Sequence, residues 1–550
     1  IRLSLVGSEM CIRDRRRGFL VSTGNTQGLC RSRRAPGSVR EALHFAYRRP
    51  TGTPPPNTGH TPIHLPCASD SRIASRKSTV MSVMTAPSDN ATKPKPKRSG
   101  LNARHIHFIA LGSAIGTGLF YGSAGAIQAA GPSVLLVYLL GGAVVYFMLR
   151  ALGEMSVRNP VRGSFAVYCR KYLGGWGGYI TGWMFAFEMM IVCLADLTAI
   201  TIYMKFWFPT TPAWVWITVT LLIISAANLA AVRLFGELEF LLTLIKVGAV
   251  VAMIVGGAAI LAFNLGSQPE TMGVSNLWSD GGFFANGISG MAASFILVLF
   301  AFGGTEIIGV AGTEAEDPDR SIPKAVNTVP ARILIFYVLS ILIILMINPW
   351  RTINGEDSPF VQIFDTLGVS WAAALLNVVV LSASLSAINA DLFGTGRVLA
   401  GLAKEKLAPR AMAKTYRDVP VMTVVMLIIA LIVGVILNQR YPDIFETVAA
   451  LATFATIFVW LMILLAHIAS RRNISPAEEQ NLKFPVPFWP YGQWFAVAFI
   501  LFTFGTMVWM EEFHTALIVG VAFLILMSIL YFVTGRPQAI AEDEVEYEAK

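Results

Sequence analysis

The chain has 550 residues, of which 54% are hydrophobic and only 14% are charged, and its mean hydropathy is +0.59. Because soluble domains carry about 25% charged residues, this composition excludes an ordinary soluble globular protein. Many apolar runs approach the roughly 20 residues that a spanning helix needs, and runs such as Val247–Phe263 have no polar face. The composition therefore predicts an all-α integral membrane protein with many spans.

The net charge of +9 comes entirely from the first part of the chain. Residues 1–80 contain 14 Lys and Arg against 4 Asp and Glu, whereas the remaining 470 residues contain 29 against 30. The apolar part of the chain is thus nearly neutral, and the charge gives no reason to expect nucleic-acid binding.

Residues 1–80 are rich in Arg, Ser, Pro and Gly and lack a periodic apolar pattern. The stretch from Leu3 to Arg15 resembles translated sequencing-adapter read-through. We expect residues 1–80 to be a non-native or mis-called extension without ordered structure, with the protein beginning at Met81 or Met84. The alternative is an Arg- and Ser-rich transit peptide.

Twelve membrane helices are predicted in chain order. A polar tail at 81–104 precedes them and an acidic tail at 534–550 follows them, and both are expected to be disordered. The predicted spans are 106–130, 132–152, 178–204, 213–231, 238–264, 287–311, 330–349, 367–392, 420–438, 443–468, 490–509 and 513–533.

The positions of Lys and Arg predict the orientation of these spans. The tail before span 1 and the loops after spans 2, 6, 8 and 10 are basic, whereas the loop 264–286 contains no Lys or Arg. Since basic loops stay in the cytoplasm, we expect both termini to be cytoplasmic in the cell (inner) membrane.

Two of the spans are interrupted by glycine. Span 1 contains Gly112–Gly118 and span 6 contains Phe300–Glu306. The breaks are five spans apart, so the second half must enter the membrane in the opposite sense. Paired broken helices in two inverted halves indicate a transporter site at mid-membrane. The alternative is that these glycines only allow close helix packing.

A broken helix offers two kinds of binding group. The start of one half-helix presents unpaired N–H groups that suit a carboxylate, and the end of the other presents unpaired C=O groups that suit an ammonium. A zwitterionic amino acid matches both.

Several motifs occur together in one order: Arg104-His-Ile106, Ala130-Gly-Pro-Ser133, Arg150-Ala-Leu-Gly-Glu-Met155, Gly163-Ser-Phe165, Thr181-Gly-Trp183, Phe235-Gly-Glu-Leu-Glu239 and Pro318-Asp-Arg-Ser-Ile-Pro323. With them, residues 101–535 resemble the amino acid–polyamine–organocation superfamily, in its bacterial amino acid transporter branch. Proline-specific permeases look most similar, followed by GABA, histidine and aromatic permeases.

The resemblance implies the leucine-transporter fold. Residues 105–264 would form a first five-helix repeat, residues 287–468 an inverted second repeat, and residues 490–533 two extra helices.

The resemblance also implies roles for residues at the breaks. The Thr117 hydroxyl and the Gly118 N–H would bind the substrate carboxylate. The carbonyls of Ala114, Phe300 and Gly303 would bind the amine. Phe300 would also form an aromatic lid, although simple core packing explains it too. Gly116 and Ala301 complete the predicted substrate-binding set.

Lys246 lies in span 5, where a charge is costly and usually functional. Burial makes a lysine easier to deprotonate, so it could exchange protons, and the resemblance implies that it replaces a bound sodium ion. The alternative is a snorkelling or statically paired lysine.

Three further buried acids, Glu306, Glu188 and Asp196, are candidates for proton coupling or gating. Glu306 follows the second break, while Glu188 and Asp196 are eight residues apart and lie roughly on one face of span 3. These two either line the cavity or form structural pairs. Glu154, Glu237 and Glu239 are placed near the cytoplasmic ends, where gate or loop contacts are expected.

The sequence thus predicts a proton-coupled amino acid symporter that imports a neutral amino acid, proline first, by alternating access. The alternatives within this class are a permease for GABA, histidine or aromatic amino acids, or an exchanger. A channel or a membrane enzyme is disfavoured because neither filter residues nor clustered nucleophile or metal-ligand spacing occurs. We expect no cofactor and no metal, and the oligomeric state stays open.

Overall fold

The structure of the protein is a computed structural model. It describes residues 2–6, 9–13, 20–24, 115–159, 165–229, 232–263, 272–309, 318–353, 358–361, 370–416, 419–438, 445–472 and 474–534. Ala114, the first half of predicted span 1 and nearly all of both predicted tails lie outside these residues.

The chain divides into two compact units, Ile1–Ala91 and Thr92–Lys550. The first contains an antiparallel sheet of three strands: β1 (Arg2–Val6), β2 (Glu9–Arg13) and β3 (Leu20–Gly24). This differs from the expected lack of ordered structure, because the strand sequences combine aliphatic and β-branched residues that favour pairing. The assignment of residues 1–80 as a non-native extension stays a prediction.

The described residues of the second unit form twelve long helical segments, which we number α1 to α12, and a short helix at Pro476–Gln480. Three of the long segments are composite. Helix α1 consists of Thr117–Phe120 and Gly122–Ala130, and α3 (Phe165–Lys205) bends at Gly174. Helix α7 consists of Pro318–Asn327, Val329–Arg332, a π-helical stretch Ile333–Leu339 and Ser340–Ile347. The others are α2 (Val134–Arg158), α4 (Ala213–Leu229), α5 (Val232–Phe263), α6 (Gly287–Phe302), α8 (Ser370–Lys404), α9 (Val421–Asn438), α10 (Phe445–Arg472), α11 (Tyr491–Trp509) and α12 (His514–Val533).

Nine helices within the described residues are long and apolar enough to cross a membrane, and α4 and α9 are shorter apolar helices. The first of the nine, Gly122–Arg158, has 37 residues. At 1.5 Å per residue this is about 55 Å, nearly twice the hydrocarbon thickness of about 30 Å. Gly131 divides it, since its φ of 62° and ψ of −148° end α1 before α2 begins. The predicted multi-helix membrane fold is confirmed, and the count of about twelve spans stays a prediction.

The predicted bounds differ from the observed ones mainly at polar ends. Helix α3 begins at Phe165 instead of 178, and α8 continues to Lys404 instead of ending at 392. Hydropathy locates the hydrocarbon-embedded part of a helix, whereas the helix itself continues into the polar interface. As a result, Asp391 lies well inside α8.

The packing of the helices has an internal correspondence. Helix α3 packs against α10, and α8 packs against α5; α2 contacts α10, and α7 contacts α5. If each helix is replaced by the helix five places away in the chain, the α3–α10 contact becomes the α8–α5 contact, and the α2–α10 contact becomes the α7–α5 contact. An inverted repeat of helices α1–α5 and α6–α10 produces this pattern, and the predicted repeat boundaries stay a prediction.

Replacing Gly131 with Ala should destabilise the protein. A side chain cannot adopt the Gly131 backbone conformation without strain of about 1–3 kcal/mol, and its Cβ would lie 3.0 Å from the Ala285 Cβ. We expect a lower melting temperature in detergent. Gly248→Ala is the matched control, because a Cβ there meets open space and α5 is helical. Equal melting temperatures for the two variants would contradict the role of Gly131.

Candidate functional site

The two glycine breaks meet inside the helical unit. A Cβ on Gly118 would overlap the Ala301 backbone and would lie 2.9 Å from the Ala301 Cβ. Gly116 caps the start of α1 without any side-chain hydrogen bond. Glycine at 118 therefore allows the interrupted α1 to contact α6, and the structure brings together four of the predicted substrate-binding residues: Gly116, Thr117, Gly118 and Ala301.

Helix α6 ends where the sequence predicts its break. The Gly303 N–H donates to the Phe300 carbonyl (3.0 Å), and Gly304 has a φ of 82°, which favours glycine. The Tyr337 hydroxyl donates to the Ala301 carbonyl (3.1 Å). The Phe300 ring is buried beside α1, 3.7 Å from the position of a Cβ on Gly122. A lid role for Phe300 stays a prediction.

Lys246 connects α5 to the first break. Its ammonium donates to the Ile115 carbonyl (2.9 Å), and its side chain is completely buried. It is within electrostatic range of three acids: Glu239, Asp196 and Asp391. A buried ammonium requires such compensation, because an isolated charge in an apolar interior is very costly. The lysine is therefore part of an internal network and does not snorkel to the membrane surface.

Glu239 belongs to the same network and contacts helix residues, whereas the sequence predicts gate or loop contacts for it. The carboxylate is completely buried and accepts hydrogen bonds from Ser386 (2.5 Å) and Thr243 (3.3 Å). The Asn389 amide also donates to it at 3.5 Å. The spacing of Glu239, Thr243 and Lys246 is i, i+4, i+7, which places all three on one helical face. That spacing is the sequence signal that was overlooked.

Thr117 and Asp196 form a direct contact across the interior. The Thr117 hydroxyl donates a short hydrogen bond to Asp196 Oδ1, and both side chains are buried. Asp196 Oδ2 accepts no hydrogen bond from any residue that the structure describes. Asp196 thus faces the first break, and one oxygen remains available to a ligand or a proton.

Glu188 and Glu306 form a second acidic site beside the α6 break. The Thr456 hydroxyl donates to Glu188 Oε1 (2.6 Å), and the Trp460 indole donates to Glu306 Oε2 (3.1 Å). Glu188 Oε2 and Glu306 Oε1 accept no hydrogen bond from any residue that the structure describes.

One side of the break region is covered by segment 358–361, which contacts α1 at Phe120. The Ser358 hydroxyl donates to the Phe120 carbonyl (2.5 Å), and the Phe360 and Phe120 rings pack edge to face at 5.0 Å. Segment 358–361 therefore lies against α1 and screens the break from that side.

The opposite side is closed by an ionic cluster centred on Glu154. Arg471 Nη2 donates to Glu154 Oε2 (2.7 Å), the Val486 N–H donates to the same oxygen (2.8 Å), and His467 Nε2 lies 3.1 Å from Oε1. Arg150 stacks on the Phe484 ring, 3.7 Å from its centroid. These contacts join α2, α10 and segment 484–486 at the predicted cytoplasmic side, in line with the gate or loop contacts expected of Glu154.

Sequence reasoning missed four polar residues that complete the network. Asp391 was inconspicuous because it lies at the end of the predicted span 367–392, whereas α8 continues to Lys404. Hydroxyl and indole groups gave no signal, since they are ordinary residues of membrane helices. The missed residues are Thr456, Trp460, Ser386 and Asp391.

Comparisons with known proteins agree on one family. The family described as amino acid permease matches residues 105–538. The chain is 43% identical to the uncharacterized amino acid permease YtnA of Bacillus subtilis over 435 residues, which is 78% of this chain and 94% of that protein.

Two further relatives have names that specify substrates. The probable threonine/serine transporter YbxG of Bacillus subtilis is 40% identical over 443 residues, covering 80% of this chain and 96% of that protein. The aromatic amino acid transport protein AroP of Escherichia coli K12 is 42% identical over 407 residues, covering 73% of this chain and 88% of that protein.

Replacing Thr117 with Val should impair the site without changing its shape. The substitution removes the hydroxyl and leaves the buried Asp196 carboxyl without that donor, at a cost of about 1–3 kcal/mol. We expect a raised KM for uptake of the transported amino acid, measured in vesicles. Thr117→Ser is the matched control because it keeps the hydroxyl. Unchanged uptake kinetics in Thr117→Val would remove this residue from the site.

Proposed function

The chain belongs to the amino acid permease family, and on that premise we propose that it imports a neutral amino acid together with protons. Membership in the family makes the protein a membrane transporter of amino acids and not an enzyme. Proton coupling, the individual substrate and the direction of transport are the parts that we propose.

The observation that carries the proposal is the hydrogen bond from the Lys246 ammonium to the Ile115 carbonyl. It places a titratable cation against the broken backbone of α1, next to the proposed substrate carboxylate site at Thr117 and Gly118. Loss of its proton would weaken that hydrogen bond and remove the charge that balances Asp196 and Glu239. Protonation of Lys246 would thereby be linked to the shape of the binding site.

Backbone groups at the two breaks would recognise the α-carboxylate and α-amine that all amino acids share. We propose that the N–H groups of Thr117 and Gly118 bind the carboxylate, and that carbonyls at Ala114, Phe300 and Gly303 bind the amine. Phe300 lies buried beside α1, which suits an aromatic lid over a small neutral side chain.

Proline is the first substrate to test, on the resemblance of the sequence to proline permeases. Aromatic amino acids and threonine or serine are the competing substrates, because relatives named for them are at least 40% identical. GABA, histidine and obligate exchange of amino acids remain alternatives within the same family.

Transport would proceed by alternating access around this fixed site. The structure has contacts that close both sides of the breaks: segment 358–361 on one side and the Glu154 cluster on the other. Opening one set while the other persists would expose the site to one face of the membrane at a time. The distribution of Lys and Arg supports an inner-membrane protein with both termini in the cytoplasm.

Purified protein in liposomes should accumulate its substrate when the interior is made alkaline relative to the bath. We expect uphill uptake of at least one labelled amino acid from a panel of proline, threonine, phenylalanine, histidine and GABA. Collapsing the pH gradient with a protonophore should abolish it. Uptake that is indifferent to the gradient, or that requires sodium, would refute proton coupling.

Lys246→Met should abolish this uphill uptake. The substitution keeps the apolar stem of the side chain and removes only the titratable cation, so proton exchange at the α1 break is lost. Lys205→Met is the matched control, because Lys205 is exposed at the end of α3. If Lys246→Met still accumulates substrate against its gradient, another group carries the coupling proton.

A further inference from the structure

The buried carboxyl groups of this protein form two sets that are separated along α3. Asp196 lies at the level of the α1 break and Glu188 at the level of the α6 break. Their eight-residue separation corresponds to about 12 Å along the helix axis. Proton transfer needs hydrogen-bond reach of about 3 Å, or one intervening water. A proton therefore cannot pass directly from one set to the other.

Asp391 of α8 lies in this gap. Its carboxyl is buried, and the Cys193 thiol, which lies between Glu188 and Asp196 on α3, approaches Asp391 Oδ2 at 3.9 Å. On the other side, Asp391 Oδ1 lies 3.6 Å from the position of a Cβ on Gly304. Asp391 thus lies between the middle of α3 and Gly304 of the α6 break. Gly304 is two residues before Glu306.

The groups around Asp391 include both sets. They come from α3, α5 and the α6 break. Together with Asp391 they comprise five carboxyl groups and one lysine. Cys193 contacts Asp391 directly, and the charged groups that interact electrostatically with Asp391 are Glu188, Asp196, Glu239, Lys246 and Glu306. A single lysine cannot balance five carboxylates in an apolar interior, so several of these acids must hold protons.

We propose that Asp391 is a proton relay between the Asp196–Lys246 group and the Glu188–Glu306 pair. The O–H bond of protonated Asp196 breaks, and its proton binds the Asp391 carboxylate. Asp391 then passes the proton to Glu188 or Glu306, whose carboxylate becomes an acid. That acid releases its proton toward the side on which α3 begins, and Asp196 is reprotonated from the opposite side. Each donor becomes a carboxylate and each acceptor an acid, so charge is conserved.

This inference rests on the proton coupling proposed above and extends it to a residue outside the substrate site. It accounts for the position of an acid that touches neither Thr117 nor the carbonyls of the breaks. A purely structural role for Asp391 would instead be to support Gly304. The two roles predict different results for counterflow at equal pH, in which no net proton movement occurs: a relay residue can be removed without losing counterflow, whereas a structural residue cannot.

The experiment compares wild type, Asp391→Asn and Asp391→Glu in liposomes, with the amino acid that wild type accumulates best from the panel above. Uphill accumulation driven by a pH gradient, substrate-dependent acidification of the interior reported by a trapped pH dye, and counterflow at equal pH are measured for each. We expect Asp391→Asn to lose accumulation and acidification but to retain counterflow. Asp391→Glu should recover part of both lost activities.

Cys193→Ala is the matched control, since it alters the same contact without removing a carboxyl group, and it should accumulate substrate as wild type does. Accumulation by Asp391→Asn at the wild-type level would overturn the relay. So would joint loss of accumulation and counterflow, which indicates a structural or binding role. Accumulation by the wild-type protein distinguishes the two proposals. If wild type lacks proton-driven uptake, the proposed function fails and the relay fails with it; if only the Asp391→Asn result contradicts the expectation, the relay alone fails.

Discussion

The ammonium of Lys246 is the group on which the interior of this protein depends. It donates to the Ile115 carbonyl at the start of the interrupted α1 and balances acids on α3, α5 and α8. Without a cation there, the broken backbone would expose a carbonyl and the carboxylates would lack a counter-charge in hydrocarbon. Lys246 thus compensates both the exposed carbonyl of the broken backbone and the negative charge of the buried carboxylates.

The remaining polar groups are arranged in levels around this point. Thr117 and Asp196 lie at the first break, Asp391 lies in the middle, and Glu188 and Glu306 lie beside the second break with donors from α10. The middle level and the second break use helices from both halves of the chain, whereas Thr117 and Asp196 both belong to the first half. A rearrangement of one half against the other therefore cannot leave the network unchanged, and this would link proton occupancy to conformation under the proposed coupling.

The sequence located most of the described spans and the α6 break well, because each depends on local properties; the first break is described only from Ile115 onward. Hydropathy runs of about 20 residues and clustered glycines can be recognised without knowing what packs where. It also identified Lys246, Glu188, Asp196 and Glu306, since a charge inside an apolar run is conspicuous. It did not reveal the burial of Glu239, whose span begins with polar residues, so that a buried position resembled an interfacial one.

By itself the sequence determined that the chain is a multispan helical membrane protein with two interrupted helices and isolated internal charges, because burial in hydrocarbon constrains every residue type. Only the tertiary structure decided which of these groups are partners. The hydrogen bonds from Thr117 to Asp196 and from Ser386 to Glu239 join residues 79 and 147 positions apart. Such pairings arise from the relative rotation and register of packed helices, which the periodicity of a single helix does not encode.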